Sequence, residues 1–512
     1  MPADPEEGLD YSRRATAVRH YARAESIALA VIVMVGLVLR LLGLDGQSLT
    51  MDEVTELDVA RRPTDLAGLI KGARRFPPLY HLVLRGWQAL FPGDLSARVL
   101  SVVLGLLSIA AVYYLARWLA GRRVAFWVAL LVAVSPFHIW YSQETRVYGL
   151  DFLLAALTLL LFYRGLDTDS VRDWVLFVVA ATAGVFTHYY FPVLLIVLAG
   201  TALVAKARDR SRPRRALAAF LALAFVAIPW AWLLLQDLHG AWGASRLSGF
   251  GPSGFGYTYL SFITGYTVGP SLRELHDLSG REVVASAGLW LAVIAVSLVV
   301  LIKSGFVALG SAKWRASLVA LAVAPVALVG LTSEIGPFGY NVRHVVWVFI
   351  PVSIWLGAGL SRWRSSRAVV GAGLALLAVS GVALANRHRS DNYRNEDSRA
   401  VARFLDAYGD RVPVFVCVDY MIGPLEHYLE DDWELRGVPV ISDPELRDRT
   451  LADISGQLAE HGYVWLAYSR AFHGDPDGTL LDAVAGQYAV VLEATFAGFR
   501  LYRIVGPSQG AD

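Results

Sequence analysis

Apolar residues in this chain fall in long runs separated by short charged stretches. Runs of ~17–25 apolar residues are long enough to cross a bilayer as helices, and counting them gives about eleven spans. They lie at roughly 26–44, 97–120, 124–141, 148–163, 174–186, 192–205, 216–235, 283–302, 316–332, 345–360 and 368–385. Two long polar stretches interrupt the series, 45–95 and 236–281. Within the first, Pro78 to Phe91 is an amphipathic stretch with Tyr80 and Trp87, suited to the membrane interface.

After residue 386 the pattern changes. Short apolar runs at Val412–Asp419, Val438–Ser442, Tyr463–Ser469, Ala489–Ala497 and Phe499–Val505 read as strands. Asp397–Tyr408, Leu451–His461 and Thr479–Gln487 read as helices between them. Alternation of this kind indicates a small α/β domain. The chain therefore divides into a tail (1–25), a transmembrane region (26–386) and a C-terminal α/β domain (387–512). The fold class is an α-helical polytopic membrane protein carrying that domain.

The positions of the cations orient the series. Arg13, Arg14, Arg19 and Arg23 precede the first span and hold the N-terminus in the cytoplasm. Gly121-Arg122-Arg123, the cluster from Lys206 to Arg215, then Lys303, Lys313 and Arg315, and finally Arg362, Arg364 and Arg367 all fall on the same side. Both long loops and the C-terminal domain fall on the other. The expected location is the plasma (inner) membrane, with the C-terminal domain extracytoplasmic. Met1–Glu25 is polar and the run after it is long and lacks a small-residue cleavage site, so it is not read as a cleavable signal.

Composition agrees. The 512 residues are 55% hydrophobic and 18% charged, against about a quarter charged in soluble domains, and mean hydropathy is +0.47. A net charge of +2 points to no polyanion, and no nucleic-acid partner is expected. With one cysteine, Cys417, no intramolecular disulfide forms; in an apolar strand it reads as a small core hydrophobe. There is no P-loop and no dinucleotide fingerprint, so ATP-driven transport lacks support.

Polar groups beside a membrane are where function is sought. The foremost are Asp52 and Glu53, just past the first span. Thr50 to Glu53 also fits a helix capping box, Thr-x-x-Glu. Neighbours on a helix point about 100° apart, which assigns Glu53 to the helix start and Asp52 to chemistry. A helix N-terminus favours ionised Asp52, as a general base requires. Next comes Tyr141-Ser-Gln-Glu-Thr-Arg-Val-Tyr148, where Glu144, Arg146 and Tyr148 form either an interfacial ion pair with a belt tyrosine or part of a site. Arg343, at the mouth of the tenth span, suits a phosphate, which a guanidinium grips with two parallel bonds; the alternative is a snorkelling anchor. Arg98 could share its part, with Arg74 and Arg75 behind it. His81, His188, Tyr189 and His344 complete the outer set. No metal-ligand spacing occurs among them, although Asp52 and Glu144 could hold a divalent cation.

Several of these segments resemble the membrane glycosyltransferases of GT-C architecture, in the group of protein O-mannosyltransferases and aminoarabinose transferases. The resemblance rests on Pro77-Pro78-Leu-Tyr-His-Leu-Val-Leu-Arg-Gly-Trp, Ala97-Arg98-Val-Leu-Ser101, Ser135-Pro136-Phe137-His138, the Tyr141–Tyr148 segment, Thr187-His-Tyr-Tyr190 and Arg343. It covers roughly residues 26 to 360. It implies a hexosyl- or pentosyltransferase that uses a polyprenyl-phosphate-linked sugar. Asp52 would deprotonate an acceptor hydroxyl on a glycan, lipid or protein. Attack would invert the anomeric carbon, and Arg343, with Arg98 or Arg146, would stabilise the leaving phosphate. Glu144 would orient these arginines or hold a cation. Where relatives often place His or Lys before Pro-Pro, this chain has Phe76, and Arg75 is the substitute.

Two other classes were weighed. A transporter would hold ionisable groups near the midplane and show two related halves; here Arg40, Arg117 and Asp151 lie near span ends and no repeat is visible. A non-catalytic scaffold would have no use for the set of acids and arginines.

Overall fold

A backbone inside hydrocarbon must satisfy its own hydrogen bonds, so each apolar run closes into a helix. The computed structural model describes residues 5–62, 77–208, 214–241, 250–271, 273–276, 278–310, 313–335, 340–441 and 443–506. The membrane region contains α1 (Pro5–Leu41), α2 (Met51–Arg61), α3 (Pro78–Leu90), α4 (Asp94–Ala120), α5 (Arg122–Val134), α6 (Pro136–Ser142), α7 (Tyr148–Thr168) and α8 (Val171–Val185). It continues with α9 (Phe191–Arg208), α10 (Arg214–Ala241), α11 (Pro252–Thr264), α12 (Gly280–Leu309), α13 (Arg315–Ile335), α14 (Phe349–Leu360) and α15 (Arg367–Arg389).

Every expected span lies on one or more of these helices, but not all are long enough to count. Among the described residues, 7 helices are long and apolar enough to cross a membrane, or up to 8 if a bent pair is one span. The expectation of eleven is corrected at α8, α9 and α10. Helix α8 has only 15 residues, and in α9 and α10 the apolar described parts are the shorter Phe191–Ala205 and Arg215–Ile228. The amphipathic stretch is α3, which turns Tyr80 and Leu84 inward and leaves Leu82 and Leu90 exposed.

The bent pair is α5 and α6, which meet at 60°. Pro136 has no N–H to give to Val132 and clashes with its carbonyl, so the helix breaks there. Fully buried Arg40 covers the freed carbonyls, donating to Val132 O at 3.3 Å and Ala133 O at 3.0 Å. It also reaches His138 Nδ1 at 2.7 Å. This answers the question Arg40 raises in an apolar span: it repairs a kink. The interior is built on α4, α7 and α14, whose side chains are mostly buried, while α1 and α12 present Val31, Val38, Leu289 and Val296 outward.

The tail is an α/β domain with β1 (Val414–Cys417), β2 (Leu435–Val438), β3 (Tyr463–Ser469), β4 (Ala489–Phe496) and β5 (Phe499–Val505) in the order β2-β1-β3-β5-β4. The first three are parallel and β5 and β4 antiparallel. All of β1 is buried, as a central parallel strand requires. The second strand lies earlier than expected. Pro439 cannot donate to the ladder, so pairing stops at Val438 opposite Cys417. The middle helix also starts earlier, at Pro444, because Asp443 caps it through Leu446 N at 3.0 Å. The tail sits on the loop after α1: Ser48 Oγ donates to Asp397 at 2.6 Å, Tyr428 Oη accepts from Leu49 N at 2.9 Å, and Arg399 pairs with Asp45 at 3.2 Å.

Candidate active site

Helix α2 begins on a completed capping box. Thr50 Oγ1 accepts from Glu53 N at 3.2 Å, and Glu53 Oε2 accepts from Thr50 N at 3.0 Å. Glu53 is 0% exposed and takes a two-pronged bond from Arg98, at 2.8 and 2.9 Å. Its Oε1 also accepts from Thr145 N at 3.0 Å. Burial alone would raise this carboxyl; the Arg98 charge and these hydrogen bonds outweigh it and leave it below the usual range. A carboxylate so saturated is an anchor, which corrects the expectation of Glu53 as a second catalytic acid.

Arg98 is corrected for the same reason. Besides Glu53 it donates to the carbonyls of Leu44, Gln47 and Ser48 at 2.8–3.0 Å. A guanidinium has five N–H donors, and all are used, so Arg98 shapes the loop before α2 and has none left for a phosphate.

Asp52, one residue earlier, points elsewhere. Its side chain is 31% exposed and meets Arg343 Nη1 at 2.7 Å and Arg146 Nη1 at 3.4 Å. Burial would raise the Asp52 carboxyl; the two guanidiniums prevail and hold it below the ordinary carboxylate value. Arg146 is the hub. It also donates to the Asp52 carbonyl at 3.3 Å, pairs with Glu56 at 3.4 Å, reaches Tyr148 Oη at 3.3 Å and lies over that ring at 5.4 Å.

Sequence reasoning missed Glu56, although it stands four residues after Asp52 and so on the same helix face. It also missed how His81 is used. His81 Nε2 contacts Glu56 Oε2 at 2.5 Å in the interior, behind Arg146 and away from the open face. His188 packs its ring 5.8 Å from Tyr148 and 6.1 Å from His344. Burial, then the charges of Arg146 and Arg343, push His188 down to about 3, so it is neutral. The expected Tyr189 is exposed; its neighbour Tyr190 is the ring stacked on His344, at 4.9 Å. Arg75, with Arg74 and Phe76, lies outside the described residues.

Glu144 stands apart from the ion pairs, half-buried in the turn before α7. Burial, and then the Glu53 charge, push it up to about 7, against the pull of Arg387 and Arg146. Arg387, also missed in the sequence, lies over Trp140 at 3.9 Å and donates to Gln143 at 3.2 Å.

Three buried polar atoms here have no hydrogen-bond partner among the described residues: Arg146 Nε, Arg343 Nε and His344 Nδ1. Two cationic donors and an imidazole left over around one half-open carboxylate suit an anion brought from outside. A cation fits poorly. Both Asp52 oxygens already face guanidiniums, and among the described residues no three His, Cys, Asp or Glu side chains gather as a metal site.

Comparison with known proteins agrees with the fold. Residues 75–232 match the dolichyl-phosphate-mannose-protein mannosyltransferase family. No curated protein sequence matches the chain. Among solved structures, the oligosaccharyltransferase AglB from Archaeoglobus fulgidus, in complex with an inhibitory peptide and a dolichol-phosphate, is 13% identical with a TM-score of 0.50, covering 95% of this chain and 75% of that one. ArnT from Cupriavidus metallidurans bound to undecaprenyl phosphate is 17% identical with a TM-score of 0.46, covering 94% and 99%. Arabinofuranosyltransferase AftD from Mycobacteria is 16% identical with a TM-score of 0.45, covering 94% and 40%. The chain has the GT-C glycosyltransferase fold. Its own segment 75–232 carries the mannosyltransferase family match, so the resemblance read from the sequence stands.

Two outcomes are expected. Replacing Arg98 by Met strands a buried carboxylate and costs about 3–5 kcal/mol; thermal unfolding should fall steeply, and less so for the pair Glu53→Gln/Arg98→Met. Glu144 has a folded value, about 7, above its ordinary 4.5. A raised value contributes stability that is complete below the unfolded value and is lost as pH rises through the folded one. Glu144→Gln should therefore remove a loss of stability between about pH 4.5 and 7, seen as a flatter plot of unfolding midpoint against pH.

Proposed function

We propose that this membrane protein transfers a sugar from a polyprenyl-phosphate donor to an acceptor hydroxyl, with inversion and with Asp52 as general base. The observation that carries the reading is a half-open, ionised carboxylate flanked by two arginines whose Nε donors are unused. The acceptor O–H loses its proton to Asp52 as its oxygen bonds to the anomeric carbon. The bond from that carbon to the phosphate oxygen breaks on the opposite face. Polyprenyl phosphate departs with the electron pair, and its added negative charge falls to Arg343 and Arg146. Stabilising charge where it develops is the largest single contribution in most such reactions.

The Asp52–Arg343 contact gives the base a dependence on donor. While Arg343 holds it, Asp52 is a weak base. A donor phosphate competes for Arg343 and leaves the carboxylate more basic just as the acceptor needs it. Arg146 keeps its grip on the Asp52 carbonyl, so the residue stays in place. We further infer that this face is extracytoplasmic, from the cation distribution. The family match and the titles of AglB and ArnT, which name dolichol-phosphate and undecaprenyl phosphate, support a lipid-phosphate donor here.

The test is sugar transfer in isolated membranes from a polyprenyl-phosphate donor. Asp52→Asn should lower the rate by about 10²–10⁴-fold with the protein still folded. Arg343→Lys keeps the charge but loses the forked grip, and should also be impaired. Full activity of Asp52→Asn would sink the assignment of the base.

A further inference from the structure

The ends of α1 and α15 leave a cavity of about 500 Å³ between them. It lies at the same end of the bundle as Asp52 yet shares no lining residue with that site. Its floor is apolar, with Leu39, Leu42 and Leu384, and its rim is cationic, with His388, Arg389 and Arg394. Both helices are membrane spans, and the faces beside the cavity expose Val35, Val38, Leu41 and Leu377. Hydrocarbon therefore meets its lower part and the headgroup layer its rim.

The rim is held in place. Gly43 has φ +64°, and a Cβ there would stand 2.6 Å from His388 Nδ1. The imidazole thus lies directly on the glycine backbone and walls one side. Arg394 donates to the His388 carbonyl at 3.2 Å and pairs with exposed Asp391 at 3.0 Å. Arg389 is exposed and has no ion-pair partner among the described residues. Asp391 offsets one cation, and the rim keeps a positive balance. An apolar floor beneath an arginine rim, between two helices at the headgroup level, matches a lipid that carries negative charge at its phosphate.

We propose that this cavity binds one anionic phospholipid of the bilayer, its acyl chains against the leucine floor and its phosphate against Arg389 and Arg394. The occupant also supports the loop leading to α2. Gln47 lines the cavity, its amide bridges Arg387 O at 3.3 Å and Asn395 N at 3.1 Å, and its own carbonyl is held by Arg98 at 2.8 Å. The lipid thus stands behind the loop whose front carries Asp52, and it is separate from any donor bound at Arg343. This proposal stands whether or not Asp52 is the base.

The experiment is native mass spectrometry of the full chain exchanged into dioleoyl phosphatidylglycerol, dioleoyl phosphatidylcholine or undecaprenyl phosphate. Wild type should retain phosphatidylglycerol in preference to phosphatidylcholine. Arg389→Gln/Arg394→Gln should lower that retention roughly tenfold or more. Ala385→Trp, which fills the cavity from its wall, should lower it too. Arg362→Gln/Arg364→Gln, at the opposite end of the bundle, should leave it unchanged. Equal retention of the two phospholipids, undiminished phosphatidylglycerol in the rim variant, or retention of undecaprenyl phosphate alone would each overturn the proposal.

Discussion

The buried pair of Glu53 and Arg98 is the constraint on which the site depends. An isolated charge in this interior would be prohibitive, and even a pair recovers its desolvation only when every remaining donor and acceptor is satisfied. Here they are. Arg98 gathers three carbonyls of the segment after α1, while Glu53 caps α2 and accepts from Thr145. One ion pair thereby fixes two loops from distant parts of the chain. Arg146 follows Thr145 directly, so the bond that holds Thr145 also delivers Arg146 to Asp52. Such a pair gives positional specificity more than stability, which is what a catalytic loop needs.

The adjacent acids divide the labour through helix geometry. A rotation of about 100° per residue sends Glu53 into the interior and Asp52 to the open side. The resulting electrostatics differ in kind. Asp52 is held low by two guanidiniums, whereas Glu144, buried near Glu53 with less compensation, is pushed up to about 7. Neutral His188 adds no charge beside them. The site thus combines one fixed anion, one carboxyl that titrates near neutrality and an excess of cationic donors.

The GT-C fold was legible because apolar runs and their length are local properties of a chain. So was the capping box, whose two partners lie three residues apart. Element limits failed where a single residue intervened, as Pro439 did in the second strand. Arg98 shows a different limit. Its place at the start of a span was readable, but which partners would use up its donors depended on residues 44–53 folding back over it. Tyr189 and Tyr190 differ only in which way a short turn points each ring. Arg40 looked like a functional charge in an apolar helix until the kink at Pro136 supplied its carbonyls.

The contacts between the C-terminal domain and the loop after α1 bear on how the protein is made. Ser48 and Asp397 are 349 residues apart, and Leu49 and Tyr428 are 379 apart. The ribosome delivers Ser48 long before the partners that fasten it exist. Nascent chains fold as their domains emerge, N-terminal parts first, so the membrane helices can assemble while this loop is still open at its outer edge. Its final shape then waits on synthesis of the α/β domain. That makes the domain a late fastener, and it ties completion of the catalytic loop to nearly complete translation of the chain.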